Sequence, residues 1–380
     1  MQKAILLDVI PPNVTKDEGL ERLSELESLV KTFGGIAVVK VIQKKSMPDY
    51  RTYIGSGKVQ EILTENKNNK ANLLIVNNLL KPTQIYNLGE ICKKDNLEVW
   101  DRIDLILKIF DKHAKSVEAK LQIELAAIKH MGPRIYGMGL ELTRQGGGIG
   151  TRGVGETNLQ IMKRHLRRRE QKIKEKLKHY DLVQENHRKQ RRSKDLKTVS
   201  LVGYTNAGKS TLLNTITKKG VYVADKLFAT LETTVGQLYM PSSGKIALLS
   251  DTIGFIQDLP PDLINAFKST LSEIIDADLL LHVIDISDPL YESKIKVVED
   301  ILKDLEVSNK PKIYVFNKVD LAPEIDIQKI SNNFNDFSPV FVSAETKTGI
   351  NVLVQKVEKV IDSFYEENVI ARSVSDEAIS

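Results

Sequence analysis

The sequence predicts an α/β protein in which a long helical hairpin separates an N-terminal α/β domain from a doubly wound α/β domain. Short apolar segments alternate with amphipathic ones over the first hundred or so residues. Two long helical patterns follow, and the short alternation resumes near residue 197. We therefore expect domains at 1–112, 113–196 and 197–366, followed by a flexible tail at 367–380.

The N-terminal domain is predicted from short apolar strands that alternate with helices. Strands are expected at 4–10, 36–42, 73–76 and 97–100, with Trp100 in the core, and helices at 58–65 and 82–94. Thr15 and Glu18 have the spacing of a capping box, so a helix should begin there and bury the apolar face that includes Leu23 and Leu26. This order of elements favours a parallel sheet. No second P-loop is expected here, because residues 55–58 lack its spacing.

Two apolar stripes predict the hairpin. Val117, Leu121, Leu125 and Ile128 form the first, and we expect Gly132-Pro133 to end that helix. The second recurs every seven residues, at Leu159, Leu166, Ile173 and Tyr180, which suits antiparallel pairing with the first. Between the stripes lies a glycine-rich stretch at 145–157. Its Gly148-x-Gly150-x-x-Gly153 spacing matches a dinucleotide fingerprint, but no strand precedes it, so we do not favour that interpretation.

Charge and cysteine content limit the classes of function. The net charge is +5, and the segment from Lys163 to Lys197 holds 15 Lys or Arg against 5 Asp or Glu. Such a surplus attracts polyanions, although a solvated helix face with a charge bias would look the same. Cys92 is the single cysteine, which excludes an intramolecular disulfide and a cysteine metal cage. No apolar run is long enough for a membrane span or a signal peptide, so a cytoplasmic protein is expected.

A phosphate-binding motif opens the third domain. The sequence Gly203-x-x-x-x-Gly208-Lys209-Ser210 follows a short apolar strand and opens a helix, which is the context of a P-loop. Lys209 is expected to contact the β- and γ-phosphates, and the Ser210 hydroxyl to bind Mg²⁺. The remaining loop residues expected around the phosphates are Tyr204, Thr205, Asn206 and Ala207.

Three further segments complete a guanine nucleotide site. Asp251-Thr252-Ile253-Gly254 ends a strand, so its carboxylate can hold the metal and its glycine N–H can approach the γ-phosphate. Asn317-Lys318-Val319-Asp320 offers a carboxylate for guanine N1 and N2 and a lysine stem over the base. Ser343-Ala344-Glu345 offers a backbone N–H for guanine O6. Together they predict hydrolysis of GTP, with GDP as product, rather than of ATP.

Some positions stay open on spacing alone. Thr230, Thr233 and Thr234 are all candidate Mg²⁺ ligands in the effector segment. Phe255 follows the metal-binding segment, and a phenyl ring cannot orient water. The water must then be positioned by backbone, by another residue or by a partner. We expect weak intrinsic hydrolysis that a partner stimulates, and nearly intact nucleotide affinity in a Phe255→Gln variant. His282, in an apolar run, is expected to be a packed strand residue without a partner carboxylate.

The sequence resembles the HflX family of ribosome-associated GTPases, within the Obg-HflX-like group of P-loop GTPases. The similarity covers about residues 3–366, and the glycine-rich stretch is its most specific part. The segments that carry it are 53–58, 101–107, 120–125, 144–157, 227–232 and 251–255. Glu345, where Lys is common, and Asp104, where a small residue is common, depart from the family pattern, and the extra C-terminal domain of some members is not expected.

The resemblance implies a set of roles. It selects Thr230 as the second Mg²⁺ ligand besides Ser210, and it adds Phe228, Ala229, Leu231 and Glu232 to the nucleotide site. The catalytic residues it implies are Lys209, Thr230, Asp251 and Gly254. It also implies that a monomer binds the large ribosomal subunit and its RNA and splits or rescues ribosomes, with no DNA partner and at most peripheral membrane contact. The hairpin tip at 131–157, with Arg134, Arg144 and Arg152, would approach that RNA. The alternative is a GTP-controlled RNA- or protein-binding module in which hydrolysis only resets binding.

Overall fold

The chain forms two compact units, each with its own parallel-rich sheet. The computed structural model describes residues 1–145, 154–193, 196–217, 234–257, 263 and 271–377. The first unit covers Met1–Tyr180, and the second consists mainly of residues from Asp181 onward. Within the described part of the chain, no helix combines the length and apolar character that crossing a bilayer requires. The predicted α/β class is confirmed.

The first unit contains a four-stranded parallel sheet in the order β2-β1-β3-β4. Its strands are β1 (Gln2–Ile10), β2 (Gly35–Lys44), β3 (Leu73–Val76) and β4 (Glu98–Asp101). The helices are α1 (Lys16–Phe33), α2 (Ser56–Asn69), α3 (Pro82–Cys92) and α4 (Arg102–His113). Parallel strands need a crossover between them, and α1, α2 and α3 supply it.

The predicted capping box of α1 and the predicted burial of Trp100 are confirmed in this unit. The Thr15 hydroxyl accepts a hydrogen bond from Glu18 N (3.2 Å), and the Glu18 carboxylate accepts one from Thr15 N (2.8 Å). These two bonds satisfy N–H groups that have no partner within α1. Trp100 lies in the core. Burial raises the pKa of the Cys92 thiol to about 12, so this cysteine has little thiolate character.

The predicted helical hairpin consists of α5 (Val117–Gln145) and α6 (Val154–Ser193). Leu121 and Leu125 of α5 pack against Ile173 of α6, with Leu177 and Tyr180 partly buried beside them. Arg169 donates to both carboxylate oxygens of Glu124, at 2.5 and 2.8 Å. These pairings place later residues of α5 beside earlier residues of α6, so the two helices run antiparallel.

The expectation that Gly132-Pro133 ends the first hairpin helix is wrong, because α5 continues to Gln145. Directly after the proline, Arg134 Nη1 donates to both oxygens of Asp104 (2.9 and 2.7 Å), and Nη2 donates to Asp101. His130 lies one turn earlier, with Nε2 3.2 Å from Asp101 Oδ1. We call Asp101, Asp104, His130 and Arg134 the clasp. Its charge-assisted bonds hold both sides of the proline to the end of β4, which offsets the helix bond that proline removes.

The second unit contains a six-stranded sheet in the order β10-β9-β8-β5-β7-β6. Its strands are β5 (Thr198–Gly203), β6 (Thr234–Tyr239), β7 (Ile246–Asp251), β8 (Leu279–Asp285), β9 (Lys312–Asn317) and β10 (Val340–Phe341). The helices are α7 (Lys209–Thr217), α8 (Ser272–Asp276), α9 (Tyr291–Asp304), α10 (Ile327–Asn333) and α11 (Ile350–Glu377). Strand β6, which pairs antiparallel to β7, was not expected from the sequence.

The chain end also differs from expectation. Helix α11 extends to Glu377, so most of the segment predicted to be a tail is helical. Its flexibility and the predicted domain limits stay predictions.

Candidate nucleotide-binding site

The P-loop connects β5 to α7 at the carboxyl edge of the second sheet. Gly203 has φ +151°, and a Cβ there would lie 2.3 Å from the Val283 carbonyl oxygen. Gly208 has φ +91°, and a Cβ there would lie 2.2 Å from Asn317 Nδ2. Both positions therefore require glycine. Asn206, also with positive φ, is exposed between them.

Lys209 is buried at the start of α7 and folds back over the loop. Its Nζ donates to the carbonyl oxygens of Gly203 (3.1 Å) and Tyr204 (2.8 Å). Burial lowers the pKa of Lys209 to about 8, while the nearby Asp251 carboxylate acts in the opposite direction. The loop thus holds a desolvated ammonium group at the point where an anionic phosphate is expected.

Ser210 and Asp251 bring two oxygen donors together. Ser210 Oγ donates to Asp251 Oδ2 at 2.5 Å, and Asp251 is fully buried at the end of β7. Thr252 is also buried and donates from Oγ1 to the Leu201 carbonyl oxygen, 2.7 Å away. A hydroxyl beside a carboxylate, with only oxygen ligands, fits the preferences of Mg²⁺.

The segment after Asp251 lies directly against the P-loop. A Cβ added to Gly254 would be 2.8 Å from Thr205 Cγ2 and 3.0 Å from Lys209 Nζ. Phe255 N donates to the Gly203 carbonyl oxygen (3.1 Å), and Thr205 N donates to the Phe255 carbonyl oxygen (2.8 Å). The Phe255 side chain is fully buried. Its ring therefore belongs to the core and does not face water.

Asn317 joins three loops of the site through one amide group. Its Nδ2 donates to the Ala207 carbonyl oxygen (2.9 Å), and its Oδ1 accepts from Ala344 N (3.0 Å). The Ala344 carbonyl oxygen in turn accepts from Thr215 Oγ1 on α7 (2.9 Å). A continuous set of hydrogen bonds thus connects the P-loop, the end of β9 and residues 343–345.

Two segments, 317–320 and 343–345, are expected to recognise guanine. Some of their other side chains form hydrogen bonds within the protein, and some are exposed. Lys318 has φ +65°, and its Nζ donates to Asp285 Oδ2 at 2.6 Å. Ser343 is buried, and its Oγ accepts from Thr346 N at 3.1 Å. The carboxylates of Asp320 and Glu345 are exposed. Among the described residues, then, Asp320 presents its carboxylate to solvent beside the held lysine.

Sequence reasoning missed Asp285 and Thr215 as supports of this site, and it expected Tyr204 only as a loop residue near the phosphates. Asp285 ends β8 at the edge where β9 ends, and that position could have suggested its contact with Lys318. The Tyr204 hydroxyl accepts from Gln257 N (2.8 Å), and its ring centroid lies 4.9 Å from Lys294 Nζ. Tyr204 thereby ties the segment after Phe255 to the P-loop.

Several expected residues lie outside the described part of the chain. They are Phe228, Ala229, Thr230, Leu231, Glu232 and Arg152, and the side chain of Arg144 is also outside it. Arg134 is described and differs from expectation, because its guanidinium binds Asp101 and Asp104 within the clasp. It is therefore committed to an ion pair and is not an RNA-facing group.

His282 is packed in β8, as expected, but it does have a carboxylate neighbour. Its Nδ1 lies 3.4 Å from Glu299 Oε1, and its ring contacts Tyr314 edge-on, with centroids 4.8 Å apart. Burial lowers the pKa of His282, while Glu299 acts in the opposite direction. The pair lies on β8 and α9 and supports the fold.

Helix α6 carries the basic surface expected from the charge count. Lys163, Arg164, Arg167 and Arg168 surround one groove, together with Gln160 and Gln171. Their spacing of three and four residues places them on one face of the helix. The three arginines are exposed. Arg169 is also exposed, but it is paired with Glu124.

Three family models match successive parts of the chain. Residues 20–111 match a GTP-binding GTPase N-terminal region, and residues 113–191 match a GTP-binding GTPase middle region. Residues 198–318 match the model described as a 50S ribosome-binding GTPase.

Curated relatives and solved structures agree with these matches. The GTPase HflX of Caldanaerobacter subterraneus subsp. tengcongensis is 44% identical over 370 residues, which cover 97% of this chain and 82% of the relative. The GTPase HflX of Escherichia coli K12 is 39% identical over 354 residues, which cover 93% and 82%. A GTP-binding protein from Sulfolobus solfataricus, solved in complex with GDP, has a TM-score of 0.51 at 26% identity, with 96% of this chain and 100% of that chain covered.

Proposed function

The chain belongs to the HflX family of GTPases and contains a ribosome-binding GTPase domain, and from this we propose that it binds the RNA of the large ribosomal subunit and splits ribosomes. The observation that carries the proposal is the exposed basic face at Arg164, Arg167 and Arg168 on α6. A cluster of this kind binds phosphates by charge and counterion release. It shares one chain with a GTP site, which makes RNA binding open to nucleotide control.

The phosphates and the base are bound by separate groups. Lys209 exchanges its two carbonyl partners for the β- and γ-phosphates, whose negative charge favours its protonated form. The exposed Asp320 carboxylate accepts from guanine N1 and N2, and Lys318, held by Asp285, covers the base. The Ala344 N–H, which donates to Asn317 Oδ1 in the free protein, would exchange that partner for guanine O6. An adenine amino group at O6 would find no acceptor, so GTP is preferred.

Magnesium completes the proposed site. Ser210 and Thr230 would bind the ion, and Asp251 would hold it through its water shell, which agrees with the close hydroxyl–carboxylate pair. When bound, Mg²⁺ neutralises charge on the β- and γ-phosphates. Lys209 and Ser210 would then exchange the contacts that they make within the protein for the phosphates and the ion.

Phe255 is the reason we expect a partner to stimulate hydrolysis. A buried phenyl ring offers no group to position the attacking water. Gly254, next to Thr205 and Lys209, can approach the γ-phosphate with its N–H, but a single donor does not orient a nucleophile. We propose that the large subunit supplies or induces the missing contact.

Sucrose-gradient profiles of intact ribosomes test the proposal. Incubation with the protein and GTP should convert 70S particles into subunits, and purified 50S particles should raise the GTP turnover several-fold. Binding to 50S without conversion of 70S particles would favour the binding module in which hydrolysis only resets affinity. Equal turnover with and without 50S particles would contradict the proposed role of the ribosome.

A further inference from the structure

The turn between β6 and β7 is bound to helix α11 by a buried carboxylate. Glu358 is 3% exposed, and its Oε1 accepts from both Ser243 N (2.6 Å) and Ser243 Oγ (2.8 Å). Burial opposes ionisation, but hydrogen bonds from Ser243 and Ser242 outweigh it and lower the pKa of Glu358. Glu358 is therefore charged at neutral pH and accepts two charge-assisted hydrogen bonds.

A second contact joins the same two elements. Lys245 Nζ lies 2.8 Å from Asp362 Oδ1 and 4.0 Å from the Tyr365 ring centroid. Below these polar groups, Leu238 and Met240 belong to one buried cluster with Leu353, Val357 and Ile361 of α11. The turn of the β6–β7 hairpin is thus fixed to α11 by both polar and apolar contacts. We call Ser243, Lys245, Glu358 and Asp362 the tip anchor.

The other end of the β6–β7 hairpin borders the proposed metal site. Strand β6 is at the sheet edge, and its first residue, Thr234, lies opposite Asp251. Midway along β6, a Cβ on Gly236 would lie 2.7 Å from Thr217 Cγ2 at the end of α7. A shift of one residue in this pairing would turn each β6 side chain to the other face and move Thr234 away from Asp251.

We propose that Glu358 is a positioning residue for the GTP-bound state. By fixing the turn between β6 and β7, it keeps β6 in register with β7 and Thr234 opposite Asp251. The segment that contains Gly254, which is expected to approach the γ-phosphate, follows β7 at this end. GDP depends instead on the P-loop, Asn317 and Asp320, whereas the described hydrogen bonds of Glu358 go to Ser243. Glu358 therefore favours GTP over GDP, independently of any ribosome binding.

Affinities of the full chain for a fluorescent non-hydrolysable GTP analogue and for fluorescent GDP test this inference. We expect Glu358→Ala to weaken binding of the GTP analogue about fivefold and to change GDP affinity less than about twofold. Glu358→Gln retains an oxygen that can accept from Ser243 and should restore most of the preference. Asp362→Asn lies on the half-exposed part of the anchor and should act in the same direction, more weakly.

The same variants separate positioning from simple loss of stability. Equal loss of affinity for both nucleotides in Glu358→Ala would contradict the inference, as would full preference for the GTP analogue in a folded Glu358→Ala protein. If Glu358→Ala does not fold, Asp362→Asn and Ser243→Ala decide. Asp362→Asn removes the charge of the ion pair with Lys245, Ser243→Ala removes one hydrogen bond to Glu358, and both leave the buried carboxylate in place. Unchanged preference in both of them would overturn the proposal.

Discussion

At the scale of single residues, Lys209 links nucleotide binding to pH. Burial lowers its pKa from 10.5 to about 8, so the unliganded site loses this proton as the pH rises past that value. Phosphates favour the charged lysine, so binding above about pH 8 takes up a proton. We expect GDP affinity to fall above about pH 8, by up to about tenfold per pH unit.

Titration calorimetry in buffers of different ionisation enthalpy measures this proton directly. Uptake on GDP binding should be larger at about pH 9 than at about pH 7.5. Guanosine carries the same base without phosphates and serves as the control, with no such increase. Equal uptake by GDP at both values would show that the buried lysine keeps its charge in the free protein.

Phe255 is a residue at which the structure changes a sequence-based prediction. Its ring is fully buried, and its backbone bonds to Gly203 and Thr205. A Gln amide there would be desolvated, so Phe255→Gln should lower the free energy of unfolding of the second unit by about 3 kcal/mol. Because the backbone of residue 255 supports the P-loop, we now expect weaker nucleotide binding as well, and no gain in hydrolysis.

Thermal melting with and without GDP checks this expectation. Phe255→Leu is the matched control, since it shortens the side chain but keeps it apolar, and it should lose clearly less stability. A Phe255→Gln protein that melts like the wild type and hydrolyses GTP faster would mean that residue 255 can reach the nucleotide.

At the scale of elements, the clasp holds the part of α5 near residue 134 against the end of β4 and the start of α4. Arg134→Met would leave the buried Asp101 and its neighbour Asp104 without the guanidinium, with His130 as the remaining clasp partner. Breaking such a pair costs about 3–5 kcal/mol. We expect faster hydrogen exchange of α5 amides near residue 134, while amides of α7 in the second unit exchange as in the wild type.

The clasp should also depend on pH through His130. Burial would lower the pKa of His130, but hydrogen bonds to Asp101 and Asp104 raise it above 6.5, against the nearby charge of Arg134. A raised pKa means that the stabilisation is complete below about pH 6.5 and is lost as the pH rises through the higher, folded-state value. Protection of the α5 amides from hydrogen exchange, corrected for intrinsic exchange rates, should therefore fall as the pH rises. His130→Gln should abolish the dependence, and its persistence would assign the effect to another group.

Elements were predictable where the determining contacts are local. The Thr15 capping box acts through neighbouring residues, so spacing sufficed. The glycines at 203 and 208 were predictable because they belong to a motif of fixed spacing, although the atoms that exclude a Cβ there, on Val283 and Asn317, are distant in the chain. The clasp joins residues about thirty positions apart, and Asn317 and Ala207 are 110 positions apart. Patterns read over a short stretch of sequence therefore could not reveal these contacts. Strand β6 was missed because Gly236, which Thr217 requires to be small, interrupts the apolar alternation.

At the scale of the whole molecule, the basic face of α6 should set affinity for the ribosome. Arg164, Arg167 and Arg168 are exposed, and each can contact a phosphate. Replacing all three with Ala should weaken binding to 50S particles. The slope of log affinity against log salt should fall by about two to three, because each lost phosphate contact removes a little under one unit.

Arg169→Ala is the control for that experiment, because Arg169 lies next to the same face but is bound to Glu124 on α5. It should leave the salt slope unchanged, even if the hairpin becomes less stable. Sedimentation of the full chain with 50S particles at several salt concentrations gives both slopes. A slope that the triple substitution does not change would place the RNA contact elsewhere on the molecule. An equal change in Arg169→Ala would instead show that hairpin packing, and not phosphate contact, controls binding.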